Sequence, residues 1–394
     1  MPAFEPFRAV RYAASHDLAA VTAPPYDVLS DADVDELAAR DPYNIVHVDV
    51  PRGGDTRYSA AAIAFQDWLA SGDLVVDGEP SFTIYRRRFT DATGWRRELS
   101  GVLGALEVVE ESSGEVLAHE RTTPKASTDR LELTRATHAN LSPVWCLSAY
   151  AGLSGLLDEP GEAVGTLTVD GVEHVVERVT DPDRVDEIRK AVSSTPALIA
   201  DGHHRYAVSR QYRDERRAEY DEDPGAELTL AFVGELVADQ LSVEAIHRLY
   251  TGVTPDDLAA TLAARFDVEP ADGELTRDVL ARMDRDGRLV LVRPDGWDWL
   301  TPKPGALDDL RTLDGLWLEE TLRDSSAEVT YQHGLDEVVD AVRAGRASAA
   351  VLIRPVSVEE IRRTADEGLL MPPKSTFFTP KLRTGLVIRD LSAG

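Results

Sequence analysis

The sequence predicts a mixed α/β (α+β) protein, and three observations carry that prediction. Residues 196–206, Pro-Ala-Leu-Ile-Ala-Asp-Gly-His-His-Arg-Tyr, pass from an apolar run of strand length through Asp-Gly into helical periodicity, the pattern of a strand, a tight turn and a helix start. Residues 82–89 and 98–109 read as an antiparallel pair across a turn at 91–94. From 255 to 354 helical and strand periods alternate, with strands near 288–293, 327–332 and 348–354.

The remaining elements follow in order. Residues 1–30 are loop-like and end in Ala23-Pro-Pro-Tyr-Asp-Val28, where two prolines hold the backbone extended and present Tyr26 and Asp27 ahead of a helix at 31–40. Residues 43–50 read as a strand, and 57–69 as an amphipathic helix offering Ile63, Phe65, Trp68 and Leu69 to a core. The stretch from His119 to Ser142 is polar in its first half; its second half is a helix capped near Ser127 or Thr128, with Asp129 in the first turn. Residues 164–180 form a hairpin turning at Asp170-Gly171, and Asp181-Pro182 opens a helix to 193. After the junction at 201–205 come a helix to about 219, a strand at 228–237, and a segment at 241–249 that carries His247 and Arg248. These two either face a ligand site or pair with nearby acids. The C-terminal run Met371-Pro-Pro-Lys-Ser-Thr-Phe-Phe-Thr-Pro-Lys-Leu-Arg-Thr-Gly385 packs basic and hydroxyl groups between prolines and leads to a short strand at 386–388. The expected division is an N-terminal α/β domain at 1–155, a phosphate-binding region at 156–250 and a C-terminal α/β region at 251–394.

Composition narrows the function. The chain of 394 residues has 70 acidic against 42 basic side chains, a formal charge of −28, which disfavours non-specific binding to nucleic acid or an anionic membrane. Lysine is confined to Lys125, Lys190, Lys303, Lys374 and Lys381. An acidic, lysine-poor composition suits a salt-loving organism, although a high-GC genome also favours arginine, and it marks the surviving lysines of polar loops as functional candidates. The single cysteine, Cys146, sits in the apolar run Val-Trp-Cys-Leu and reads as a buried, inert thiol. No N-terminal segment has signal-peptide form and no apolar run approaches the roughly 20 residues that cross a bilayer, so a cytoplasmic protein is expected.

The junction at 201–205 has the chemistry of an anion site. The first amides of a helix lack intrahelical acceptors and carry the positive end of its dipole, Gly202 removes bulk, and Arg205 offers a guanidinium fork. Two polar loops add cations: Arg121, Lys125, Arg130 and Arg135 in one, and Lys374, Ser375, Thr376, Lys381 and Arg383 in the other, with a solvated loop and a surface tail as the plain alternatives. Walker, Rossmann and kinase Asp-Phe-Gly motifs are absent from the sequence. Zinc is poorly served, because adjacent His203 and His204 do not easily share one metal.

Five blocks resemble the domain of unknown function (DUF) family number 1015: Ala23-Pro-Pro-Tyr-Asp-Val28, the loop from His119-Glu-Arg-Thr through Asn140-Leu-Ser-Pro143, Ala200-Asp-Gly-His-His-Arg205, Ile246-His-Arg-Leu249, and the 371–385 run. A second resemblance covers the turn alone. Asp201-Gly-His-His-Arg205 is similar to the phosphate-binding turn of the ParB/sulfiredoxin superfamily, in particular its free-serine kinases, and implies such a strand–turn–helix with large additional α/β elements. About 170 residues separate it from the Pro-Pro-Tyr-Asp block, more than a compact ParB-like domain holds, so the position of the catalytic base is open.

The resemblance implies phosphoryl transfer between ATP or ADP and the hydroxyl of a small metabolite, serine or phosphoserine first, in either direction. Phosphates would be held by Gly202, Arg205, Lys125, Arg130, Lys374, Ser375, Thr376 and Lys381. His203 or His204 would contact the transferring group, with a phosphohistidine at His204 as a variant, and Glu120, Asp27 and Asp201, in that order, are candidates for the base. Tyr26, His119, Asn140, His247 and Arg248 are candidate substrate contacts, and Asp201 is the candidate ligand of Mg2+. A hydrolase of a small phosphorylated metabolite and a non-catalytic nucleotide-binding regulator are the alternatives.

Overall fold

The structure, a computed structural model, describes the whole chain except residues 92–93, 119–124, 221–222, 373 and 393–394, and the side chains of 125–127. It is mixed α/β and divides into two compact units, Met1–Ser242 with Pro380–Gly394, and Val243–Thr379. Strands from both 1–155 and 156–250 join one sheet, so these two expected regions form a single body.

Among the described residues that sheet has nine strands. In order they are Val116–Leu117, Ala197–Asp201, Val144–Ser148, Leu228–Glu235, Arg96–Glu107, Phe82–Thr90, Val172–Val179 and Glu162–Val169, with Phe4–Glu5 also on Arg96–Glu107. Pairing is antiparallel from Leu228–Glu235 outward to Glu162–Val169, while Val144–Ser148 runs parallel to Leu228–Glu235 and antiparallel to Ala197–Asp201. Side chains alternate between the faces of a strand, and register carries that alternation across the sheet. One face is apolar: Phe82, Ile84, Val102, Val144, Cys146, Ile199, Ala231 and Val233 pack with Leu153, Ile188 and Tyr206 from helices. The register sets Tyr85, Arg87, Trp145, His174 and Asp201 on the opposite face.

Helices behave as their sequences dictate, with two exceptions. Ser30 and Asp33 form a reciprocal capping box at the start of Asp31–Arg40, and Asp181 caps Pro182–Val192 by accepting from Arg184 N–H. The first exception is 43–50, where the expected strand is the helical turn Val46–Asp49. Asn44 imposes it: its side-chain oxygen accepts from Val46 N–H at 3.1 Å while its amide donates to Ala20 C=O at 2.6 Å. The second lies in Arg57–Ser71, where Phe65 and Trp68 are buried but Ile63 faces outward at 62% exposure. The helix in the 119–142 block begins at Lys125, ahead of the expected cap.

The C-terminal residues are integral to the first unit. Thr384 and Ile388 bridge to Ala23 and Val10, Arg389–Asp390 pairs with Ala139–Asn140, and buried Arg383 donates to the hydroxyl and carbonyl of Thr22. Strand therefore forms at 389–390 beyond the expected 386–388. In the second unit the sheet order is Phe266–Ala271, Gly296–Pro302, Leu289–Arg293, Ala349–Leu352, His247–Thr251 and Glu328–Gln332, all antiparallel. Its two central strands, Leu289–Arg293 and Ala349–Leu352, are apolar on both faces: Leu289, Leu291, Ala349 and Val351 enter one cluster, while Val290, Val292, Ala350 and Leu352 enter another. No helix among the described residues is long and apolar enough to cross a membrane.

Candidate functional site

The expected strand–turn–helix is present. Strand Ala197–Asp201 ends at Gly202, whose φ of +88° turns the chain into helix His203–Glu219. Glycine is needed here on two counts: the left-handed conformation disfavours a side chain, and a Cβ would sit 3.0 Å from Cζ and Nε of Arg205. Gly202 brings no capping side chain, and the opening turn of the helix carries the positive end of its dipole.

Beneath this turn lies a charge cluster. Asp201 accepts from Arg205 Nη2 at 2.7 Å through one oxygen and from Lys381 Nζ at 2.9 Å through the other. Burial raises its carboxyl, but Lys381, Arg205 and His203 outweigh burial and hold it well below the usual carboxylate range. Buried Arg205 also donates to the Pro143 carbonyl. Arg205 is thus committed to holding the turn together. Asp201 already carries two cations, so it does not fit the expected role of magnesium ligand, and a carboxyl held this acidic is a poor proton acceptor near neutrality. Among the described residues no group of three His, Cys, Asp or Glu side chains is placed to hold a metal ion.

Arg205 also lines a small polar cavity of about 40 Å3 with Tyr26, Asp49, Arg130, Asn140 and Ser209, room for a few waters. Three sequence blocks meet here: Pro-Pro-Tyr-Asp through Tyr26, the 119–143 block through Arg130 and Asn140, and the turn through Arg205. Arg130 stacks over the Tyr26 ring at 4.4 Å and is held by Asp49 and Asp129 at 3.2 and 2.6 Å. Burial pushes the Tyr26 hydroxyl up to about 12. Asn140 accepts from Leu230 N–H at 2.9 Å, and exposed Asp27 lies close enough for its charge to act on Arg205. Arg130, expected on phosphate, is instead buried and paired with Asp49 and Asp129, and exposed Arg135 is paired with Glu215 and Glu132.

The remaining candidates fall in three groups. His119, Glu120 and Arg121 lie outside the described residues, as does the side chain of Lys125. His203 and His204 are half-buried in the first turn of their helix. His247, Arg248, Lys374, Ser375 and Thr376 belong to the second unit. There burial lowers His247 to about 3, Arg248 donates to the Lys374 carbonyl at 3.0 Å, and the Ser375 hydroxyl donates to Pro372 C=O.

Sequence reasoning missed two charged groups of the first unit. Asp49 is buried against Arg130, and burial raises its carboxyl despite Arg130 and Arg205; the misread strand at 43–50 concealed it. Arg87 is fully buried on the polar face of the large sheet. Its signal was the run Arg86-Arg87-Arg88 inside a strand, where an arginine needs a special reason to be buried.

The profile of the family described as Protein of unknown function (DUF1015) matches residues 4–320. Solved structures similar to the chain include a conserved hypothetical protein from Pyrococcus furiosus, at 13% identity over 73% of this chain and 95% of that one, TM-score 0.39. A free serine kinase in complex with AMP has 13% identity over 73% and 92%, TM-score 0.39. SbnI with C-terminal truncation from Staphylococcus aureus has 12% identity over 72% and 85%, TM-score 0.40. No curated protein matches the sequence.

Proposed function

The chain belongs to the family described as Protein of unknown function (DUF1015), and from its site we propose a phosphotransferase that moves a phosphoryl group between ATP or ADP and the hydroxyl of a small metabolite, with serine or phosphoserine the first pair to test. The observation that supports this reading is the turn at Gly202, where a glycine-opened helix N-terminus sits over Arg205, Asp201 and Lys381. Phosphoryl transfer asks a protein mainly for positioning and neutralisation of charge on the phosphoryl oxygens. The opening amides of the helix supply fixed donors, and Lys381 supplies a cation held in place by Asp201. Arg205 acts through Asp201 as a positioning residue. His203 and His204 stand in the first turn, where a nucleotide phosphate on the amides would meet them. With Asp201 bound by two cations, Asp27 and Glu120 are the carboxylates assigned to the acceptor hydroxyl.

A phosphorus NMR assay in concentrated KCl with magnesium tests this. Phosphoserine with ADP, and separately serine with ATP, are offered to the wild type and to His203→Asn and His204→Asn variants whose folding is checked by circular dichroism. Nucleotide-dependent transfer that falls at least tenfold in a folded variant supports the proposal and gives the favoured direction. Phosphate released without nucleotide would make the protein a hydrolase, and nucleotide binding without turnover a regulator.

A further inference from the structure

Arg87 sits on strand Phe82–Thr90 with its side chain 0% exposed. Of its guanidinium nitrogens, Nη1 donates to the Pro380 carbonyl, while Nε and Nη2 are buried with no hydrogen-bond partner. Its neighbour Arg86, on the apolar face, shows the contrast: it is bound to Glu177 at 2.9 Å, to Ser100 and to the Leu157 carbonyl. Burying a guanidinium without partners is costly, and aromatic faces offset that cost only in part. Those faces are present. The guanidinium lies 4.2 Å from the Trp145 ring and 5.2 Å from Phe232, and Phe232 reaches this position over Gly101, where a Cβ would stand 2.2 Å from its ring.

The carboxylates of this region are committed to other cations. Asp201 is the carboxylate whose field acts on Arg87, and both its oxygens are taken by Arg205 and Lys381. Arg205, Lys381 and Arg87 all draw on Asp201, with Asp27 and Asp49 acting on Arg205 as well, and Nε and Nη2 of Arg87 bond to none of them. The Tyr85 hydroxyl is engaged with His174 Nδ1 at 2.7 Å, and burial, with Arg383 and Arg87, pushes His174 down to about 3, so no further negative charge comes from that side. A buried guanidinium edge with no carboxylate bonded to it calls for an anion.

The two unpartnered nitrogens, Nε and Nη2, are the edge of a guanidinium that meets two oxygens side by side. We propose that Arg87 forms a second ligand subsite, binding the carboxylate or phosphoryl group of the small acceptor whose hydroxyl is phosphorylated. Trp145 and Phe232 supply the apolar wall of this subsite and Lys381 its second cation. The inference rests on the transferase reading for the word acceptor; the anion subsite itself stands on Arg87. It confines the acceptor to hydroxy compounds bearing an anionic group, such as a hydroxy amino acid.

The test is titration calorimetry of the full chain with L-serine, L-phosphoserine, inorganic phosphate and ADP, using wild type, Arg87→Met and Arg87→Lys. Methionine fills a similar volume without charge, and removing an unpaired buried cation leaves the fold intact or firmer, which a thermal melt checks. Arg87→Met is expected to weaken the anionic small molecule about 10- to 100-fold, the worth of a charged hydrogen bond, with ADP affinity unchanged. Arg87→Lys, which keeps charge but loses the fork, should recover part of it. Binding of L-serine identifies a carboxylate site, and binding of phosphate without L-serine a phosphoryl site. Equal affinity in wild type and both variants, or no binding of any of the three small anions to wild type, overturns the subsite. Failure of ADP to bind while an Arg87-dependent anion does would remove the transferase reading and leave the subsite standing.

Discussion

Asp201 shows how a residue that looks catalytic in sequence becomes structural once its neighbours are known. Its two oxygens join the end of the strand at 197–201 to Arg205 on the helix and to Lys381, 180 residues away in the chain. Replacing it by asparagine removes the negative charge and leaves two half-buried or buried cations facing an amide. Breaking a buried pair from one side costs about 3–5 kcal/mol, so Asp201→Asn should lower the urea midpoint at pH 7 by a corresponding amount without changing the slope. The pH dependence follows from the same geometry. Because the folded carboxyl is held below its unfolded value of about 3.9, the unfolded chain binds the proton first as pH falls. The stabilisation is complete above that value and is lost as pH drops through it toward the folded value. Wild type should therefore lose stability steeply on acidification below about pH 4, and Asp201→Asn should show a shallower acid limb. An identical acid limb in the two proteins would show that Asp201 carries no such linkage.

At the scale of elements, the turn at 201–205 was legible because its chemistry is local: Asp-Gly after an apolar run leaves few backbone solutions. Gly202→Ala tests that reading. It forces a side chain into a left-handed conformation and against Arg205, and a cost of about 1–2 kcal/mol should appear in urea titration, with weaker ADP binding if the opening amides hold phosphate. An unchanged midpoint would mean that the turn relaxes at no cost. Lys381 was also legible, since lysine is so scarce that each one in a polar loop stood out. What stayed hidden depended on partners distant in sequence. The alternation Val46-His-Val-Asp-Val50 has strand form, yet the Asn44 side chain and burial against the helix at 57–71 wind it into a helical turn and point Asp49 at Arg130. Arg87 was hidden for the converse reason: strand alternation sends Arg86 and Arg87 to opposite faces, but what each face meets is set by pairing with strands distant in sequence. Ile63 took part in a helical stripe and still lies outside it, because the apolar stripe of this helix centres on Ala61, Phe65 and Trp68.

At the scale of the whole molecule, the chain leaves the first unit at Ser242 and returns at Pro380. The second unit is thus an insertion between the large sheet and the segment that completes it. That arrangement was not visible in the sequence, since both units alternate helix and strand, and the proline- and hydroxyl-rich run at 371–385, within which the second crossing falls, reads equally well as a ligand-binding loop. It has a physical consequence. A segment with its own six-stranded sheet, covered on each face by a separate apolar cluster, satisfies its backbone and buries its side chains without borrowing from the rest of the chain. The polypeptide Val243–Thr379, expressed alone, should therefore fold cooperatively, with a single urea transition of slope about 1–3 kcal/mol/M and protected amides in the strands Leu289–Arg293 and Ala349–Leu352, which are buried on both faces. The converse deletion is more damaging. Ending the chain at 379 removes Lys381 from Asp201, Arg383 from Thr22 and Arg389 from the carbonyls of Gly225 and Leu228. Such a chain should lose the cooperative transition of the first unit while keeping that of the second. If both transitions survive truncation, the C-terminal segment is dispensable for folding, and the pairing of Lys381 with Asp201 contributes to function alone.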